Sequence, residues 1–229
     1  MKAMSERNRR APRQAEAERN DRALLTAARE VFTLDGTHAS VAAIAARAGV
    51  GIGSLYRRYR TKEELFRHLL SLSLDQWIEA AERGLAHEDP WEGLVHYITT
   101  SIELSSGSLG ALANTMALTD EMLARSNQSD ELTGALVARA HAAGVLRAEV
   151  TYIDIALLIE QLGKSPLVEQ LTRQGRTDLV DAAANARARI IAIALSGLRP
   201  APERLPGHPP GEELFHERWV QREAPAGDR

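Results

Sequence analysis

The chain has 229 residues, 28 Lys and Arg against 31 Asp and Glu, no cysteine, and a formal net charge of −3. Without cysteine it can hold neither a disulfide framework nor a thiolate metal site, and its length allows one large domain or two modest ones with a real core. The longest nearly unbroken apolar run, IIAIAL, is far too short to span a bilayer, and the first residues lack the apolar segment of a secretory signal, so a soluble, cytoplasmic protein is expected. The charge is unevenly placed. Met1 to Lys62 carries 13 basic against 6 acidic residues, net +7, and the remainder carries 15 against 25, net −10. A basic N-terminal block on an acidic remainder is the pattern of a nucleic-acid-binding head on a body kept off the phosphates.

Residues 1–18 are polar and basic, with Arg7, Arg9, Arg10, Pro12 and Arg13. They are expected to be a disordered arm, either a solvated tail or an arm reaching into a minor groove or along phosphates. A first helix is predicted from Arg19 to Leu34, with Leu24, Ala28, Val31 and Phe32 on its buried stripe and Gly36 ending it. Next comes SVAAIAARAGVGIGSLYRRYRTK, Ser40 to Lys62. Ser40 is a good N-cap, and Val41, Ile44, Ala45 and Ala48 share one helical face. Gly49 suits a left-handed helix end, and Val50 can plug the angle to a second short helix. Gly51, Ile52 and Gly53 open that helix without bulk. Ser54, Tyr56, Arg57 and Arg58 follow, while Leu55 and Tyr59, four apart, face the core. This is a helix-turn-helix whose second helix carries the donors that read DNA.

Thr61 and Glu64 form a capping box for a fourth helix through Leu65, Phe66, Leu69, Leu70 and Leu74 to Trp77 and Ile78, long enough to leave the head. Pro90 suits a first helical position, and Trp91, Leu94, Val95, Ile98 and Ile102 follow at helical spacing. Gly107 and Gly110 punctuate, and helical spacing recurs from Leu112 to Leu123. SNQSD, residues 126–130, reads as a loop before a helix from Glu131 to Ala143 that Gly144 ends. Val150 to Leu162 is another apolar helix, interrupted by Gly163 and Pro166. A last long helix is expected over Asp178 to Leu198, and six of the nine prolines lie after it, marking a flexible, poorly helical tail. Nothing reads as a strand. The fold class is all-α, divided into an arm (1–18), a helix-turn-helix domain (19–65), a helical effector-binding and dimerisation domain (66–198) and a Pro-rich tail (199–229).

The stretch from Arg22 in RALLTAAREVFTLDG through AAIAARAGVGIGSLYRRYRTKEELF to Phe66 resembles the TetR family of bacterial transcription regulators. HAAGVLRAEVTYIDIALLI, His141 to Ile159, is similar to the C-terminal domain of the SbtR-like regulators within it. The chain departs from the common pattern in a shorter loop between Gly36 and Ile44 with Thr37 in place of an aromatic, in Gly51 where Ser or Thr often caps the recognition helix, and in Arg60 where proline is frequent. The resemblance implies a homodimeric repressor that binds a palindromic double-stranded operator and is released by a small organic effector. The alternatives are a regulator controlled by a protein partner or by its own concentration, and a small-molecule carrier or enzyme on the same fold.

In this reading the DNA-binding residues are Arg22, Ser40, Ile52, Gly53, Ser54, Tyr56, Arg57, Arg58 and Lys62. Similar sequences use the tyrosine at the position of Tyr56 on the DNA backbone. Arg57 and Arg58 have the reach for guanine O6 and N7 or a phosphate, and Lys62 at a helix start suits one phosphate. Ile52 can meet a thymine methyl or pack. Capping alone accounts for Ser40, which, like Arg22, can also touch the flanking backbone. Trp77, Trp91, His96, Tyr97, Asn114, Met116 and Met122 are effector-site candidates or ordinary core. Glu160, inside an apolar run, needs a partner, an effector group or an interface. Leu179, Ala183, Ala186, Ile190, Ile193 and Ala194 form a stripe suited to a dimer interface. The seven histidines show no i, i+4 pair, so no metal is expected. With no nucleophile elbow, phosphate loop or dinucleotide fingerprint, no cofactor or catalysis is expected either.

Overall fold

The computed structural model describes residues 19–31, 35, 38–105, 119–165 and 167–211, and these are helical or irregular, with no strand among them. Helix α1 covers residues 19–31. It is followed by α2 (Val41–Ala48), α3 (Ile52–Arg58), α4 (Lys62–Ala86), α5 (Pro90–Leu104), α6 (Asp120–Ala142), α7 (Tyr152–Gly163), α8 (Leu167–Arg173) and α9 (Val180–Leu198).

Two hydrophobic cores result. The first joins Leu24, Leu25, Ala28 and Val31 of α1 to Val41 and Ile44 of α2, Leu55 of α3, Tyr59, and Leu65, Phe66 and Leu69 of α4. The second gathers Ala80 and Ala81 of α4, Trp91, Leu94, Tyr97, Ile98 and Ile102 of α5, Leu136 and Val137 of α6, Ile155 and Ile159 of α7, and Leu198 of α9. Helix α4, 25 residues and so about 37 Å long at 1.5 Å per residue, contributes to both. Its C-terminal half lies backbone to backbone with α5. A Cβ on Gly84 would stand 2.7 Å from the Gly93 carbonyl oxygen, and one on Gly93 would stand 2.3 Å from that of Gly84. Only glycine permits that approach.

Local caps set most helix starts. Thr61 Oγ1 accepts from the Glu64 amide at 3.1 Å, and the Glu64 carboxylate accepts in return from the Arg60 amide at 2.6 Å. The Asp89 carboxylate accepts from the Trp91 and Glu92 amides, which holds its pKa below the usual carboxylate range. Thr119 caps α6, and Thr151 with Asp154 forms a reciprocal box at α7.

The structure departs from the sequence reading in four places. Residues 126–130 are not a loop but lie within α6. Their polar side chains lower helix propensity, but packing decides: Ser129 is buried with its carbonyl accepting from Thr133 Oγ1 at 2.8 Å, and Arg125 just before it pairs with Asp75 of α4. Helix α8 was not foreseen, and it packs against α9. The last helix starts at Val180, after a 3₁₀ turn over Thr177–Leu179. The described part of the tail, residues 199–211, is non-helical as expected, but its first residues are anchored. The Arg199 guanidinium lies 4.1 Å from the Trp91 ring centroid, the buried Arg147 donates to the Glu203 carbonyl, and the Leu205 amide donates to Glu149. The readings of Phe32, Leu34, Gly36, Thr37, Gly107, Gly110, Asn114, Met116 and Pro166, of the arm over 1–18 and of the tail beyond 211 fall outside the described residues.

Candidate nucleic-acid interface

Helix α2 begins where Ser40 Oγ accepts from the Ala43 amide at 3.1 Å, so the hydroxyl oxygen caps the helix while its O–H can still donate. It ends at Gly49, whose φ of 68° is the left-handed conformation glycine adopts at least cost. Val50 closes the turn, its amide donating to the Ala45 carbonyl at 2.9 Å and its side chain packing on the first core.

Gly51 gives α3 no side-chain cap; its carbonyl accepts from the Ser54 and Leu55 amides. A side chain at Gly51 or Gly53 would meet nothing within 4 Å, so the chain's own packing does not demand glycine at either place. At about 100° per residue, Gly53 and Arg57 project about 160° from the buried Leu55, Ser54 and Tyr56 about 100°, and Arg58 only about 60°. The outward face is therefore Gly53 and Arg57 flanked by Ser54 and Tyr56. All four are exposed, with Tyr56 at 50% and Ile52 at the helix start at 44%. Guanidinium, phenol, hydroxyl and bare backbone on one short helix are groups that suit phosphates and base edges.

Arg58 is placed differently. Its Nη1 and Nη2 meet both carboxylate oxygens of Asp21 on α1 at 2.5 and 2.8 Å, a contact that raises its pKa further. Tyr59 is buried, and desolvation pushes its phenol up to about 12. Lys62 is exposed at the start of α4 with Nζ 5.0 Å from the Phe66 ring centroid. Arg22 is exposed on α1.

Sequence reasoning missed the residues that hold this head together. Arg29 of α1 donates to Ser73 Oγ at 3.1 Å and Gln76 Oε1 at 2.9 Å on α4, and desolvation lowers its pKa to about 10. Arg47 of α2 pairs with Glu30 of α1. A signal existed for the first of these: Arg29 is four residues from Leu25 on the buried stripe, where a charge needs a partner.

The effector-site candidates divide. Trp91 and Tyr97 belong to the second core. Tyr97 is the donor to Thr133 Oγ1 at 2.8 Å, because Thr133 spends its own proton on the Ser129 carbonyl; burial raises the Tyr97 pKa. Met122 is buried in the first turn of α6. Trp77 and His96 are half-buried, and among the described residues neither Trp77 Nε1 nor His96 Nε2 has a hydrogen-bond partner. The His96 ring lies 5.4 Å from that of His87. Glu160 ion-pairs with Lys164 at 2.5 Å within its own helical stretch.

On α9, Ile191, Leu195 and Leu198 face the second core. Ala186, Ile190, Ile193 and Gly197 face outward, with Ile190 55% and Ile193 67% exposed, and Leu179 is 37% exposed in the preceding turn. Ala183, placed on the same stripe by the sequence, is only 6% exposed and so is not on the open surface of α9. Ala194 is half-buried.

Residues 24–69 match the family model of the bacterial regulatory proteins, tetR family. No curated protein matches the chain. Among solved structures, a TetR transcriptional regulator of Streptomyces coelicolor is 25% identical, with a TM-score of 0.52 over 79% of this chain and 99% of that one. A TetR transcription regulatory protein of Mycobacterium vanbaalenii is 24% identical, with a TM-score of 0.54 over 82% of this chain and 99% of that one. The ketosteroid transcriptional regulator KstR2 of Mycobacterium tuberculosis is 20% identical, with a TM-score of 0.50 over 79% and 95%. The last two likenesses concern the fold. The matched head contains α2, its left-handed turn and the outward face of α3, so residues 24–69 are similar to the bacterial regulatory proteins of the tetR family, and the helical fold is similar to that of TetR transcription regulators.

Proposed function

We propose that the chain acts in the cytoplasm as a homodimeric repressor of a palindromic operator, released by a small organic effector. The observation that carries the DNA-binding part is the sorting of α3, with Leu55 and Tyr59 buried while Gly53, Ser54, Tyr56 and Arg57 face out. Arg57 reads a base. Ile52 meets a thymine methyl, Gly53 and Ser54 let the backbone approach, and Arg22, Ser40, Tyr56 and Lys62 hold phosphates. The head is assigned to residues 19–65, with the arm over 1–18 before it, and the effector-binding and dimerisation domain to 66–198, with the Pro-rich tail after it. Two copies meet through Ala186, Ile190 and Ile193, whose exposure in an apolar stripe is the support for a dimer. Within the family, the His141–Ile159 stretch is the ground for placing the chain in the SbtR-like subgroup. Release follows if the effector favours an arrangement of the heads that departs from the 34–36 Å half-site spacing.

Selection of bound duplexes from random DNA tests this directly. Recovery of an inverted repeat with half-sites about one helical turn apart is expected, and recovery of no preferred sequence would sink the reading. A second reading, control by a partner protein or by concentration without a small ligand, is favoured by the use of Trp91 and Tyr97 in core contacts with Arg199 and Thr133. Reciprocal linkage separates the two: an inducer's affinity must fall about 5- to 150-fold when operator is bound.

A further inference from the structure

We propose that Arg58 is a positioning residue of the recognition helix, not a DNA ligand: with Asp21 it clamps the C-terminal end of α3 onto α1. The proposal rests on the DNA-reading role of α3 and replaces the expectation that both arginines face DNA.

Helix α3 has little of its own to fix its direction. It has seven residues, no side-chain cap at Gly51, and one buried residue, Leu55. A helix this short is not stable by itself, and its apolar hold on the first core is limited to Leu55 with Val50 just before the helix and Tyr59 just after it. The second anchor lies at its other end. Arg58 Nη2 donates to Asp21 Oδ2 at 2.8 Å, and Nη1 lies 2.5 Å from Oδ1 as an ion pair, a charge-assisted contact between α3 and α1. The Asp21 side chain is only 16% exposed while that of Arg58 is 42% exposed, so the carboxylate end of the pair is shielded from solvent and the guanidinium end is not. Two rings lie beside the pair. His68 Nε2 of α4 lies 3.5 Å from Asp21 Oδ2, and the Tyr59 ring packs 5.3 Å from the His68 ring with the Arg58 guanidinium 5.2 Å from its centroid. Helices α1, α3 and α4 therefore converge on one carboxylate. A guanidinium held by its Nη2–Asp21 bond is turned toward α1, and reading a guanine through both Nη atoms would break that contact. Arg57, about 100° further round the helix, is the arginine left for reading, and the clamp sets the direction in which it points.

The test uses Arg58→Ala, Asp21→Asn and the double variant in the full chain, with Arg57→Ala and Lys62→Ala as references. The probes are the duplex that the wild-type protein selects from random DNA and a scrambled duplex. The clamp predicts that Arg58→Ala and Asp21→Asn each lower the operator-to-scrambled affinity ratio several-fold. Both should blur the same base position that Arg57→Ala blurs, and the double variant should lose no more than either single one. The salt slope of operator binding should stay unchanged in Arg58→Ala. If Arg58 instead touches a phosphate, Arg58→Ala lowers the salt slope by about one unit per half-site as Lys62→Ala does, with base preference intact, and Asp21→Asn leaves the affinity ratio unchanged. Either result would overturn the clamp. Melting temperatures provide an arm that needs no DNA: each single variant should lose about 2–4 °C and the double no more, whereas independent, additive losses would refute the pair. Should the wild-type protein show no sequence preference at all, the DNA-reading role falls, while the melting cycle still decides whether Asp21 and Arg58 hold α3 to α1.

Discussion

Helices α3 and α9 both leave most of their surface uncovered, and they do so with opposite chemistry. Among its seven residues α3 buries only Leu55, and among its nineteen α9 buries Ala183 and Leu198. Outward, α3 shows Gly53, Ser54, Tyr56 and Arg57, groups that hydrogen-bond or make way for a backbone, whereas α9 shows Ala186, Ile190, Ile193 and Gly197 at helical spacing. A helix face left open by its own chain keeps the chemistry of what covers it. Polar donors on a two-turn helix suit a polar, charged duplex. Isoleucines interspersed with small residues suit another apolar helix at close range. The contrast also separates what each face tolerates: apolar contact fails abruptly when a charge is buried, while a set of donors fails piecemeal.

The largest effect is therefore expected at α9. Ile190→Glu would place a carboxylate in the centre of the proposed subunit contact, and light scattering should report monomer. Monomer should lose the difference between specific and non-specific DNA binding, about 10³-fold or more, because one head supplies half the contacts. A dimer that survives this change would remove the α9 stripe from the interface and leave Ile193 without an explanation.

On α3, Arg57→Ala is expected to cost about 1–3 kcal/mol in each half-site and to relax preference at one base position. Competition between operator variants differing at single positions measures both. An unchanged base preference would move the reading role away from Arg57. A comparable energy is at stake far from either open face. Gly93→Ala would put a Cβ 2.3 Å from the Gly84 carbonyl oxygen and 3.2 Å from the His87 Cβ, where backbone must shift. Overpacking of this kind costs about 1–3 kcal/mol. Melting should fall accordingly, with the salt slope of operator binding unchanged, since α3 and α9 are untouched.

The head could be read in the sequence because its rules are local. Ser40 caps the amide three residues on, Thr61 does the same for Glu64, and Gly49 supplies the left-handed turn between two short helices. The outward face of α3 followed from Leu55 and Tyr59 being four apart. What could not be read depends on partners distant along the chain. Arg58 finds Asp21 across 37 residues, Arg29 finds Ser73 and Gln76 across 44 and 47, and Arg147 finds the Glu203 carbonyl across 56. No periodicity marks such pairs. The same limit explains residues 126–130: a run of Ser, Asn, Gln and Asp reads as a loop by propensity, and only the contacts of α6 with α4 and α5 make it helix. The apolar stripe of α9 was visible as a pattern, but not that Ala183 within it is only 6% exposed, because that burial depends on neighbours no periodicity marks.

The smallest expected effect sharpens the division of labour within the head, and it belongs to Lys62. Its ammonium is exposed, 5.0 Å from the Phe66 ring centroid, at the first position of α4. The helix start there is a weaker phosphate site than its position suggests. Thr61 already takes the Glu64 amide, Glu64 takes the Arg60 amide, and the carboxylates of Glu63 and Glu64 oppose an anion in the first turn. What remains is one mobile positive charge, which releases about one counterion when it meets a phosphate. Lys62→Ala should therefore flatten the salt dependence by about 0.9 per half-site and weaken operator and scrambled duplex alike, leaving base preference intact, while Lys62→Arg should keep the slope. The contact with Phe66 supplies the opposing expectation. If Lys62→Ala lowers the melting temperature and leaves the slope unchanged, the ammonium serves the Phe66 ring and the phosphate contact belongs to another residue of the exposed set, of which Arg22 on α1 and Tyr56 on α3 are next to be tested.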